Sequence, residues 1–377
     1  MAARLCVITV HGIGFQQPPH GDLPGYADAL HEHLRVVLGD RLGDDPERDH
    51  GGPVYVRSEV GGSSVEGLSR LRPGRPLTTT GSIAHVALVY SPSEPLAPRG
   101  GSVADTLARA LLAHAHYASV LGETRALIAD AAAAIGERRP VTSSSSLRPR
   151  TDLPVMRQPV RLGRLMHRGR GDAAPGPLAI VTALEADIAT YVARNDLRER
   201  VRGFVQAALL DLANRPDVSG IVVNAHSQGT VVCWDVLCRL PLFSDARLRG
   251  MLRAFVTAGS PIRKYVDLFA WGELVGQMAA LDQEAFSWTN FWDPHDPVAD
   301  PLNPPAAWRP GTPLTDPRED DGLLLARDPG GGPARHVPVA DTAVDNITNS
   351  SGGGLQAHDY WNNQTDVAPM LAEIVTR

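Results

Sequence analysis

Short apolar runs rich in β-branched residues recur along the chain, at 5–10, 84–90, 220–224, 254–257 and 286–291, and turn residues follow most of them. Runs of this length and composition predict strands buried on both faces. Longer stretches of helical character lie between them, notably 103–135, 186–214 and 228–240. Parallel neighbours need a crossover, and a crossover helix covers the sheet it spans. The alternation therefore predicts an α/β fold: a mostly parallel sheet with helices on both faces.

At 377 residues the chain exceeds the size at which single cores usually stop growing, so one core with an insertion is expected. The core is assigned to 1–94 and 178–377, and the insertion, a largely helical cap, to 95–177. Its alanine-rich first half carries Asp105, Arg109, Glu123, Arg125 and Asp130, which makes an amphipathic helix and not a membrane span. Its second half is a basic loop or lid rich in Ser, Pro and Arg. Here Ser143 to Ser146 run together, and nine arginines between Arg138 and Arg170 face one acid, Asp152. Two readings stand for this lid: a solvated surface excursion, or weak contact with an anionic substrate or membrane surface. A second loose stretch, 300–333, contains many prolines, Glu319-Asp320-Asp321 and Gly330-Gly331-Gly332, and is expected to cross the surface as a long connection.

A hydrophobic content of 43% is that of a globular protein, and a net charge of -6 gives no reason to expect nucleic acid. The first apolar run is too short for a secretory leader or a span. Cys6, Cys233 and Cys238 all lie in apolar stretches and read as small core residues, so a reducing cytoplasm is the default compartment. Without a leader, the N-x-S/T triplets at Asn346, Asn349 and Asn363 carry no weight. Nothing names a protein partner or an oligomeric state.

The most informative residues are Asn224-Ala225-His226-Ser227-Gln228-Gly229-Thr230. An apolar strand ends, a tight turn carries Ser227, and a helix begins at once. A serine on such a turn projects its hydroxyl clear of the backbone, and small residues two positions either side let strand and helix approach closely. Free N–H groups of the new helix point at the same place. The pattern resembles the nucleophile elbow G-x-S-x-G of the α/β-hydrolase superfamily, with Ala225 in place of the first glycine. The alternative is a serine that merely caps a helix.

The resemblance extends to His11-Gly12-Ile13-Gly14 after the first strand, which is similar to the loop that supplies an oxyanion donor in that superfamily. It implies oxyanion donors at the main-chain amides of Ile13 and Gln228, with His11 and Gly12 shaping the loop. Serine needs a base, and the base needs a carboxylate to hold its tautomer. The superfamily's chain order of serine, acid, histidine leaves His336 and His358. His358 follows Gly352-Gly353-Gly354 in a glycine-rich loop before the final helix and is the chosen base, whereas His336 belongs to a strand-like stretch expected to be fixed in the sheet. Asp296, in Asp296-Pro297-Val298, resembles the acid-bearing turn; Asp293 and Asp300 are rivals.

The resemblance implies a serine hydrolase, esterase or lipase-like, acting on a small-molecule or acyl-chain ester without a cofactor. No metal cluster, phosphate loop or nicotinamide fingerprint stands in the sequence. Acyltransferase, thioesterase and amidase chemistry would use the same triad, and a non-catalytic binding protein on the same fold is the reading from another class.

Overall fold

The computed structural model describes residues 4–12, 24–58, 65–78, 80–90, 191, 195–238, 245–262, 286–296, 298–299, 301–302, 325–326, 335–336, 339–350 and 356–377. The cap expected at 95–177, its basic lid and most of 300–333 lie outside the described residues.

In chain order the elements begin with β1 (Arg4–Val10), α1 (Asp28–Leu38), β2 (Leu42–Gly43), β3 (Val54–Arg57), α2 (Val65–Ser69) and β4 (Ile83–Val89). Next come α3 (Asn195–Ala213), β5 (Val218–His226), α4 (Gln228–Leu237), α5 (Ala246–Met251), β6 (Leu252–Ala258) and β7 (Ser287–Trp292). The remainder are β8 (Leu325–Ala326), β9 (Arg335–His336), β10 (Val339–Ala343), α6 (Asn346–Asn349) and α7 (Val367–Thr376).

Among the described residues eight strands form one sheet in the order β10-β7-β6-β5-β1-β4-β2, with β3 also on β4, and every pairing among them is parallel. Strands β2 and β3 share the outer edge of β4: β2 pairs with Ile83 and Ala84, β3 with Val86 to Val89. The five strands expected from the apolar runs are β1, β4, β5, β6 and β7. The stretch around His336 departs from expectation. Its strand β9 pairs antiparallel with β8 in a separate two-stranded sheet and takes no place in the main one.

Alternation along each strand sends side chains to two cores. On one face Ile8, Val10, Val223, Phe255 and Trp288 pack with Phe204 and Leu209 of α3 and Val232 and Trp234 of α4. On the other, Val7, Val222, Val256 and Phe291 meet Leu30 and Leu34 of α1 and Leu371 and Val375 of α7. Each such large side chain stabilises the fold by about 1.5–3 kcal/mol through burial. Helices thus cover both faces, which is why the central strands are apolar on both.

The chain leaves β1 toward β4 and leaves β5 in the opposite direction, toward β6. A crevice forms outside the carboxyl ends of two strands whose connections diverge in this way. Gly12 follows β1 and Ser227 follows β5, so the sheet topology brings the two segments singled out in the sequence to one place.

Candidate active site

Strand β5 ends at His226 and α4 begins at Gln228, so Ser227 alone makes the reversal. It adopts φ 53° and ψ -128°, and no other non-glycine residue among those described has positive φ. Such a conformation costs about 1–3 kcal/mol and persists only where the surroundings over-determine it. They do so here. The Ser227 N–H donates to the Ala258 carbonyl at 2.9 Å, and both the N–H and hydroxyl of Thr230 donate to the Ser227 carbonyl at 2.9 and 2.7 Å. Close approach accounts for two glycines. A Cβ at Gly12 would lie 2.3 Å from the Ser227 Cβ, and one at Gly229 would lie 2.3 Å from the His11 carbonyl oxygen. His11 and Gly12 therefore lie directly against the turn of Ser227.

His358 ends a short 3-10 turn, Gln356–His358. Its Nδ1 lies 2.7 Å from Asp296 Oδ2. A carboxylate only accepts, so Nδ1 carries the proton and Nε2 presents a lone pair. That Nε2 is buried and has no hydrogen-bond partner among the described residues. Asp296 is fully buried. Its Oδ2 also accepts from the Tyr360 hydroxyl at 2.9 Å, and its Oδ1 from the Val298 N–H at 2.9 Å. Burial pushes this carboxyl up, but the His358 ring and the donors outweigh it and hold it below the usual aspartate value.

Asp293 has a different occupation. Its Oδ1 accepts from the His295 N–H at 2.7 Å and its Oδ2 from the Asn346 N–H at 2.7 Å, so it ties the turn after β7 to the start of α6. Burial, with the neighbouring Asp296 charge, pushes its carboxyl up despite those donors. Asp300 lies outside the described residues.

His226 links the serine turn to the histidine turn. Its ring lies 4.6 Å from that of His358, centroid to centroid, and its Nε2 donates to the His358 carbonyl at 2.9 Å. Burial, then the neighbouring His358 ring, lower its pKa to about 3, so it is a neutral donor. Gly259, at φ 63°, also lies against His358, and a Cβ there would approach His358 Cε1 and Tyr360 Cε2 to 2.8 Å. Trp361 packs against both His226 and Tyr26, and Tyr26 against His11. His11 stacks on Tyr90, and burial lowers its pKa to about 4. Its Nδ1 pairs with the Gly12 carbonyl at 2.5 Å.

Of the residues named from sequence, the structure joins Asp296 to His358, ties His358 through His226 to the turn of Ser227, and sets Gly12 and His11 against that turn. Gln228 opens α4, buried beside Ser227. Ile13 lies outside the described residues. Sequence reasoning missed Tyr360 and His226. The only signal for either was adjacency, since each sits within two residues of a chosen side chain. No group of three His, Cys, Asp or Glu side chains among the described residues is arranged to hold a metal ion. Comparison with protein-family models, curated proteins and solved structures finds no match to this chain.

Proposed function

We propose that this chain is a serine hydrolase on an α/β-hydrolase fold, with a helical cap inserted at 95–177, and that it cleaves a carboxylic ester without a cofactor. The observation that carries this reading is the His358 ring, whose Nδ1 is bound to a buried, ionised Asp296 while Nε2 stands bare, in a residue tied through His226 to the strained turn of Ser227. A buried imidazole nitrogen left without a partner costs about 1–3 kcal/mol. A site that keeps such a cost in a residue tied to a strained serine turn is set up for proton transfer.

In this mechanism Ser227 Oγ attacks the ester carbonyl as His358 Nε2 takes its proton, and Asp296 stabilises the imidazolium. The tetrahedral oxyanion is held by the main-chain N–H groups of Gln228 and Ile13, the latter carried over by resemblance. His358 returns the proton to the leaving alcohol, leaving an acyl group on Ser227. Water then enters and attacks the acyl carbonyl as His358 takes one of its protons; the acyl–Oγ bond breaks, His358 returns that proton to Ser227, and the acid leaves. The rings of Tyr26 and Trp361 close to the site support an acyl-chain or otherwise apolar substrate of low molecular weight, in a cytoplasmic setting.

The test is labelling by a fluorophosphonate probe, together with hydrolysis of p-nitrophenyl esters of rising chain length. Wild-type protein is expected to label and turn over. Ser227→Ala is expected to stay folded, lose labelling and lose turnover by roughly 10⁶-fold. Wild-type protein that fails to label, or a Ser227→Ala protein that still labels, would overturn the reading.

A further inference from the structure

We infer that Tyr360 is a positioning residue of the His358–Asp296 pair: its hydroxyl, oriented by the Asp293 backbone, governs how much negative charge the pair presents to the reaction. The inference rests on the hydrolase reading and deepens it.

Tyr360 is fully buried, and its hydroxyl stands between two groups of the turn after β7. The Asp293 N–H donates to it at 2.8 Å, so its oxygen is already accepting. Its own proton goes to Asp296 Oδ2 at 2.9 Å, the same oxygen that binds His358 Nδ1 at 2.7 Å. Two side-chain donors therefore compete for one carboxylate oxygen. Charge taken up by the tyrosine bond is charge the imidazolium does not feel, and hydrogen bonds to an ionised acceptor are the strong ones. Asp296 stays ionised while buried chiefly through His358 and the Val298 N–H, and the tyrosine bond adds to them.

The other ionisable groups around the pair leave this role to Tyr360. From the end of β5, His226 faces His358 but is held neutral. From the turn after β7, Asp293 is occupied by the N–H groups of His295 and Asn346, and the His295 ring lies against it at 3.0 Å. On the segment of His358 itself, Asp359 is turned to the Ser350 hydroxyl and the Asn362 amide. Burial raises the Tyr360 hydroxyl well above the usual tyrosine value, so it remains a donor throughout the working range.

The sign of the effect follows. Remove the hydroxyl and Asp296 concentrates its charge on His358, so the histidine holds its proton to higher pH. The acidic limb of the kcat/KM profile should then move up by about half a unit to one unit. Replacement of Tyr360 by 3-fluorotyrosine keeps the shape and makes a stronger donor, so the limb should move the other way.

The experiment compares wild-type, Tyr360→Phe and 3-fluorotyrosine protein, each checked by thermal melting. Two readouts are taken: the pH profile of ester hydrolysis, and the ¹⁵N titration of the His358 ring in a Ser227→Ala background. Opposite shifts from the two replacements support the inference. A limb and a titration that stay put in both, while rates fall, would overturn it and reduce Tyr360 to packing. The 3-fluorotyrosine protein keeps the test decisive where Tyr360→Phe fails to fold. The ring titration and Ser227 labelling are separate measurements, so failure of this inference and failure of the hydrolase reading are told apart.

Discussion

Two histidine pairs among the described residues are built on opposite terms. On the α1 side of the sheet the His31 and His85 rings stack almost parallel, 5.3 Å apart, and each of their nitrogens has a partner. Asn224 donates to the Thr9 hydroxyl at 3.2 Å; that hydroxyl pairs with His85 Nε2 at 2.8 Å; the two Nδ1 atoms share one proton at 3.1 Å. His31 Nε2 then reaches Asp44 at 3.2 Å and Arg35 at 2.8 Å. In the other pair, His226 is spent on a backbone carbonyl and His358 keeps one nitrogen bare. Residue type alone therefore does not separate the two pairs. What separates the pairs is whether the network is closed. A closed network stiffens a core, and an open one leaves a nitrogen without a partner, which is what the proposed hydrolase reading needs.

The largest expected effect tests the open pair at its acid. Asp296→Asn should lower turnover by roughly 10⁴-fold, since the amide cannot balance the imidazolium and favours the wrong tautomer. Asp293→Asn should instead cost about 1–3 kcal/mol of stability, because one of its two N–H donors would meet an NH2 group, while folded protein keeps most of its rate. Parallel kinetics and melts on both variants decide the matter. A near-normal rate for Asp296→Asn beside a collapsed one for Asp293→Asn would move the acid to Asp293.

Gly259→Ala comes next. The added methyl cannot fit between the strand end and the His358 ring, so the ring must shift, and a displacement near 1 Å is expected to cost about 10²-fold in kcat. Unchanged kcat in steady-state assays would mean that His358 need not hold its place.

The smallest effect on rate, and the sharpest contrast, belongs to the closed pair. His31→Phe should leave turnover within about twofold and lower stability by about 1–3 kcal/mol, because His85 Nδ1 and the Asp44 carboxylate lose a partner. Burial, then the Arg35 charge, bring the His31 pKa from 6.5 down to about 3; burial, then His31, hold His85 well below its usual value. The unfolded chain binds protons that the folded chain refuses. Stability from these groups is therefore full above pH 6.5 and lost as pH falls toward 3, by up to about 1.4 kcal/mol per pH unit for each histidine. Urea unfolding at pH 7, 6, 5 and 4 should show that fall in wild-type protein and a shallower one in His31→Phe. A rate loss without a stability loss would make the second network part of the chemistry after all.

Much of the sheet was legible because β1, β4, β5, β6 and β7 are buried on both faces and so read as uninterrupted apolar runs. The strands that escaped notice are short or polar at the edges: β2 has two residues, and β10 carries Asp341 and Thr342 in its middle. Helix α1 was overlooked although Leu30, Leu34 and Leu38 recur at four-residue spacing, a signal that was there to use. In the site, Ser227 and His358 stood out because turn chemistry is local. Tyr360 did not, because its role depends on Asp293 and Asp296, 67 and 64 residues away in the chain. The His31–His85 pair was illegible for the same reason: its members come from α1 and β4, 54 residues apart.

The central place of β1 carries a consequence for how the chain is made. One of its neighbours in the sheet is β5, and the hydrogen-bonded partners Thr9 and Asn224 are 215 residues apart. At about 5–20 residues per second of synthesis, roughly 10–40 s separate the appearance of the two strands. Through that interval one long flank of β1 has no native partner, and its Val7-Ile8-Thr9-Val10 edge is open to whatever strand it meets first. The nascent chain, more than the finished one, is where this protein needs shielding from aggregation.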